Sequence, residues 1–271
     1  MSEARMLNAL FISHGSPALI MSDHPARAFL SDLGRRLTRP RGALVVSAHF
    51  ETPTLTLGAD ALPGTWHDFY GFPRELYEVR YPAQGMPSEA RKLAEALQTQ
   101  GYKASLDPVR PLDHGIWSPL SLLWPDADVP IVPVSVPMSL TPPEQLSLAA
   151  ALGRYATAND MWLIGSGAAT HNLGDRKPEF APPDPWAREF TAWAKNVANR
   201  GDLAALADWQ HQAPYAKHAH PTPEHFLPLL MCVAAMNGRP MAALHDSFSY
   251  GNLSMLTLAS PRLAEQWQTV A

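Results

Sequence analysis

The chain has 271 residues, is 46% hydrophobic and 17% charged, and carries a formal net charge of −4. That length and composition suit one globular domain with a substantial core, and they exclude a disordered polymer. The net acidity gives no reason to expect nucleic acid or an anionic membrane as a partner, and a single cysteine, Cys232, excludes an internal disulfide.

The N-terminus has one early basic residue, Arg5, and a short apolar run ending at Ser13-His14-Gly15. The run is too short to span a membrane and lacks a signal-peptide layout, so a soluble, cytoplasmic protein is expected. Residues 9–13 and 43–48 are continuous apolar runs, the pattern of buried parallel strands. Between them, residues 25–37 place Ala28, Phe29, Leu33 and Leu37 at helical spacing. Strand, helix, strand is a βαβ unit, whose right-handed crossover makes the strands parallel. His14 and His49 then leave the sheet at the same edge, the carboxyl ends where open α/β sheets bind ligands.

Further along, residues 54–57 predict a weak strand and 88–97 a helix. Residues 130–136 predict a strand with a bulge or an edge at Pro133. Residues 143–157 and 186–197 predict helices, and 161–166 a strand ending just before His171. Thr222-Pro223-Glu224 has the cap, proline and acid of a helix start, which puts His225 in a first helical turn, with a kink at Pro228. Residues 253–258 predict a last strand. The reading is an α/β fold. It is a single domain over residues 1–271, with a central, mostly parallel sheet and helices on both faces. The metal site lies at the C-terminal ends of the strands.

Chemistry concentrates in the histidines. His14-Gly15-Ser16-Pro17 and Ser47-Ala48-His49 are two strand exits ending in imidazole, and together they favour a metal site. Asp113-His114-Gly115 opens an apolar helix, whose dipole favours a neutral ring; Asp113 reads equally as a simple helix cap. Gly165-Ser166-Gly167 before His171 suits close backbone packing beneath a site rather than a phosphate cradle. In His220-Pro221-Thr222-Pro223-Glu224-His225, Glu224 is open to three roles: ligand, partner of a histidine, or first-turn charge. His211 and His218 read as solvated, and His24 and His245 suggest no role. The loop Trp66-His67-Asp68-Phe69-Tyr70-Gly71-Phe72-Pro73 gathers rings fit to line an aromatic pocket, or to form a satellite apolar cluster. Zinc-protease, EF-hand, Cys-x-x-Cys, nucleophile-elbow and dinucleotide motifs are absent.

In register, His14-Gly15-Ser16-Pro17, Ser47-Ala48-His49, His67-Asp68-Phe69 with Gly71-Phe72-Pro73, Asp113-His114-Gly115-x-Trp117, His171-Asn172-Leu173 and Pro221-Thr222-Pro223-Glu224-His225 resemble the class III extradiol ring-cleavage dioxygenases. This is the LigB-type superfamily, and the likeness is to its 4,5-DOPA dioxygenase extradiol branch. The resemblance implies one non-haem metal, with Fe(II) expected for activity and Zn(II) as another occupant of the isolated protein. It implies His14, His49, His171 and His225 as metal-binding candidates. His171 and His114 are candidate acid/base groups, and Glu224 remains open as a ligand. His67, Phe69, Tyr70 and Trp117 are the expected substrate-binding residues. The implied partners are a small aromatic diol and O2, and the implied product is a muconic semialdehyde. Two other readings use the same histidines: a zinc-dependent hydrolase, and a non-enzymatic metal-binding protein with a closed coordination sphere.

Overall fold

The computed structural model describes residues 6–269. Its strands, in chain order, are β1 (Asn8–Ser13), β2 (Ala43–Thr52), β3 (Leu55–Gly58), β4 (Ala104–Asp107), β5 (Ile131–Pro137), β6 (Trp162–Gly167), β7 (Ala242–His245), β8 (Phe248–Ser249), β9 (Leu253–Ser254) and β10 (Thr257–Ala259). All but the β8–β9 hairpin join one 8-stranded sheet in the order β4-β3-β5-β2-β6-β1-β10-β7. The central strands β5, β2, β6 and β1 run parallel, while β3, β4 and β10 run against them.

Apolar residues on both sides of a strand require cover on both faces. Ala9, Phe11, Leu44, Val46 and Leu163 pack beneath the helices Pro87–Gln98, Pro142–Ala158, Pro185–Arg200 and Leu227–Ala235. Their neighbours Leu10, Ile12, Val45 and Ile164 face the other way, toward Pro25–Arg36, His114–Leu123 and Pro261–Thr269. No described helix is long and apolar enough to cross a membrane.

The expected βαβ unit forms, but β1 and β2 are not neighbours: β6 lies between them. Consequently His14, His49 and the turn after Gly167 emerge side by side.

Three local expectations are corrected. Pro133 lies on an interior strand, between β3 and β2, rather than at an edge. Ala43 N–H donates to Pro130 O while Ile131 N–H turns the opposite way, to Gln84 O. By that alternation the ring nitrogen of Pro133 faces β3, which pairs with β5 only at Leu57↔Val134, so no ladder bond is lost. The irregularity falls instead on β2, where register with β5 shifts between Val46 and Glu51. The late helix starts at Leu227, after His225, with Pro228 in its first turn, where proline needs no donor and causes no kink. The strand expected over 253–258 is broken into β9 and β10 by Met255 and Leu256.

Candidate metal centre and active site

His14 follows β1, and its N–H donates to Gly167 O at 3.0 Å, tying the exits of β1 and β6 together. Gly15 then turns the chain with φ +65°, where a Cβ would meet Met255 Sδ at 2.8 Å. The tautomer of His14 follows from its neighbours. Ser166 donates its hydroxyl proton to Gly115 O, so its oxygen accepts from His14 Nδ1, 3.0 Å away. His14 Nε2 is therefore left as a bare lone pair.

His49 lies in the stretch of β2 where register with β5 is lost, which frees it from the ladder. Its Nε2 is 3.1 Å from His14 Nε2, and its Nδ1 is 3.6 Å from Asp68 Oδ2. His225 sits in a turn closed by Phe226 N–H donating to Pro223 O at 2.9 Å. That turn is held against β6 by Ala168 N–H donating to His225 O at 2.8 Å. His225 Nδ1 donates to Glu224 Oε1 at 2.8 Å, while its Nε2 is buried with no partner.

The ligand atoms of His14, His49 and His225 lie within 4.8 Å of one another. Two nitrogens sharing an ion at bonds of ~2.0–2.1 Å stand about 3 Å apart, which matches the 3.1 Å between His14 and His49. The buried, partnerless Nε2 of His225 is what a cation would satisfy. These residues fit a metal ion, and Glu224 fits the role of a carboxylate that orients a ligating imidazole. Burial first, and then the neighbouring imidazoles, hold His14 and His225 well below the usual histidine value. His49 is lowered to about 3 by burial and by His114, against the pull of Asp68. All three are thus neutral, as ligands must be.

A second group stands beside the first. His114 opens the helix His114–Leu123, and Asp68 Oδ1 accepts from both its backbone N–H and its Nδ1, each at 2.9 Å. Asp68, from the aromatic loop, is thus the carboxylate partner at this helix start. Asp113, for which a helix cap was one of two open readings, makes no side-chain cap; it accepts from Ser47 at 2.6 Å and Arg110 at 2.6 Å instead. Burial raises the Asp68 pKa, but the hydrogen bonds and charge of His114 outweigh it, and the carboxyl sits below its ordinary value. With Nδ1 committed to Asp68, His114 Nε2 is the free basic nitrogen.

His171 follows β6, its N–H donating to Ala219 O at 2.9 Å. Its ring stacks on His225 with centroids 3.5 Å apart. Burial lowers it to about 4, with Glu224 pulling the other way and His49, His114 and Arg176 adding to the depression. It groups with Glu224 and His225 rather than with His14 and His49. The glycines before it act by close packing: a Cβ on Gly167 would stand 2.3 Å from His225 O.

A cavity of about 380 Å³ opens on these histidines, within the ~300–1,000 Å³ typical of small-molecule sites. Phe69 and Tyr70 line it. His67 and Trp117 do not; they pack behind Phe69, at 5.8 and 6.2 Å between centroids. Trp117 is fully buried and donates to Trp66 O at 2.8 Å. His24 and His245, for which no role was expected, have structural ones. His24 caps the helix Pro25–Arg36, and His245 stacks on Phe29 at 4.6 Å. His211 and His218 are exposed, as expected. The sequence reading missed Asp68, Ser166 and Arg176. The signal for Asp68 was a carboxylate amid rings; for Ser166 it was a hydroxyl among glycines.

An α/β sheet with two imidazoles at its parallel strand exits, a third converging on them from a turn, and a carboxylate-backed histidine beside them is a candidate enzyme site whose residues could hold a metal ion. The family described as the catalytic LigB subunit of aromatic ring-opening dioxygenase matches residues 8–258. The 4,5-DOPA dioxygenase extradiol of Beta vulgaris is 34% identical over 258 residues, covering 93% of this chain and 96% of that one. The Escherichia coli K12 protein of the same description is 36% identical over 268 residues, covering 95% and 96%. A crystal structure of an uncharacterized Escherichia coli K12 protein superposes with a TM-score of 0.77 at 30% identity, covering 94% of this chain and 99% of that one. The chain belongs to the LigB family of class III extradiol dioxygenases, and it is a ring-cleavage oxidoreductase.

Proposed function

We propose that the protein cleaves the ring of a catechol with O2, adding both oxygen atoms to give a muconic semialdehyde, at an iron(II) ion held by His14, His49 and His225. The observation that carries the ligand set is the convergence of the two Nε2 atoms at 3.1 Å on a site where His225 Nε2 is buried without a partner. Iron, when bound, supplies a Lewis acid and a redox centre that brings diol and oxygen together. Asp68 and Glu224 orient His114 and His225. His114 Nε2 takes the proton of a catechol hydroxyl, and Asp68 compensates the charge that develops on the ring. His171, neutral near pH 7, offers an acceptor and a donor nitrogen at the cavity wall and passes on the second proton. Phe69 and Tyr70 cover the ring and shed water from the site. The names of the relatives make L-DOPA the first substrate to try.

Iron(II) is loaded anaerobically, oxygen admitted with L-DOPA or a panel of catechols, and uptake followed with an electrode. The expected outcome is one O2 consumed per catechol with a yellow product. No oxygen consumption across the panel sinks the proposal. His14→Ala, His49→Ala and His225→Ala are expected to lose the metal, while His114→Ala keeps it and loses ~10²–10⁴-fold in rate. Full metal content in all three ligand variants would refute the ligand set.

A further inference from the structure

We propose that Arg176 selects catechols whose side chain carries a carboxylate; this rests on the catechol reading of the site. Among the described residues lining the cavity, Arg176 is the one lysine or arginine. The lining carboxylate, Asp68, is already committed to His114 at 2.9 Å. The charges flanking Arg176 are neutralised elsewhere: Asp175 pairs with His218 at 2.7 Å, and Lys177 with Asp184. The Arg176 guanidinium is left with no ion pair among the described residues, and the residue lines the same cavity as His114 and His171.

The position is built rather than incidental. Upstream, Asn252 Nδ2 donates to Asn172 O at 2.7 Å, and Asn172 Oδ1 accepts from Gly174 N–H at 3.0 Å. Downstream, Lys177 N–H donates to Tyr250 O at 2.9 Å, and Asp184 N–H to Gly251 O at 2.8 Å. The β8–β9 turn that makes these contacts holds Tyr250, another lining residue, at φ 54°. A left-handed conformation in a bulky residue persists only where its surroundings enforce it. The segment that carries Arg176 and the turn that carries Tyr250 are thereby tied together, and the planar fork of five donors on Arg176 has no acceptor among the described residues. A diol bound at the histidines directs the far end of its ring toward the cavity mouth, where a carboxylate on a short chain matches that fork.

The test compares kcat/KM for 3,4-dihydroxyphenylacetate, L-DOPA, dopamine and 4-methylcatechol in the iron-loaded wild type, Arg176→Gln, Arg176→Lys and Arg176→Glu. The expected ratio of 3,4-dihydroxyphenylacetate to 4-methylcatechol falls on the order of tenfold in Arg176→Gln, recovers in part in Arg176→Lys, and gives way to a preference for dopamine in Arg176→Glu. Because Arg176 is exposed, the wild-type ratio also shrinks with added salt. L-DOPA, whose ammonium offsets its carboxylate, falls between 3,4-dihydroxyphenylacetate and dopamine. A ratio that is the same in all four proteins, with 4-methylcatechol still cleaved, overturns the role of Arg176 and leaves the dioxygenase reading standing. Failure of the wild type to cleave any of the four overturns both.

Discussion

Glu224 and Asp68 each accept from the Nδ1 of a site histidine, yet their removal has different consequences. Glu224 fixes the tautomer and raises the basicity of His225, whose Nε2 faces the ion site. Glu224→Gln retains a hydrogen-bond acceptor but not the charge, so metal affinity is expected to fall ~10–100-fold. Competition against a chelator measures it, and unchanged affinity would show that the carboxylate only caps the turn. Asp68 instead backs His114. Asp68→Asn is expected to keep the metal and lose rate, by up to ~10²–10⁴-fold if base catalysis by His114 fails entirely. Equal loss of metal and rate would place Asp68 with the ligands. Glu224 was legible in the sequence because it adjoins His225. Asp68 was visible only as a member of a ring-rich loop, since its partner lies 46 residues away and no local pattern encodes a pairing across that distance.

Strand exits deliver the site, and the close packing of β6 against the late helix sets where one of them ends. A Cβ on Gly165 would stand 2.4 Å from Pro228 O, and one on Gly167 would stand 2.3 Å from His225 O. Gly165→Ala and Gly167→Ala are both expected to cost ~1–3 kcal/mol by overpacking. Only Gly167→Ala presses on the turn that carries His225, so it alone is expected to lose metal affinity as well. Thermal melts paired with metal content separate the two effects; matching metal loss in both variants would argue against a local displacement. The parallel strands were legible because continuous apolar runs have one stable solution, burial on both faces. The start of the late helix was not. Thr222-Pro223-Glu224 satisfies every local rule for a helix N-terminus, but Ala168 N–H claims His225 O and holds the segment as a turn. The split of β9 from β10 likewise depends on the hairpin with β8, a tertiary pairing.

At the scale of the whole molecule, the site makes stability depend on pH. Six buried or part-buried histidines, His14, His49, His171, His220, His225 and His245, have pKa values below the ordinary 6.5. Below that value the unfolded chain binds protons that the folded one refuses, so these groups destabilise the fold as pH falls. The loss continues down to about 4 for His171 and His220, and to about 3 for His49. Above 6.5 they contribute no slope. A bound metal holds its ligands in the neutral form, so its added stability is also present near neutrality and fades in acid. His220 allows one contribution to be isolated away from the ion. Its ring lies among Phe190, Trp209 and Phe226, with Nε2 donating to Ala169 O at 2.9 Å and Nδ1 buried without a partner. Its refused proton costs the wild type about 2 kcal/mol between neutrality and pH 5. His220→Phe keeps the aromatic packing and loses one hydrogen bond, a cost of ~1 kcal/mol that is the same at every pH. The variant should therefore start slightly less stable at pH 7.5 and lose less on going to pH 5. Denaturant unfolding of the metal-free proteins at both pH values provides the comparison. An identical pH slope in variant and wild type would mean that His220 takes up its proton without unfolding.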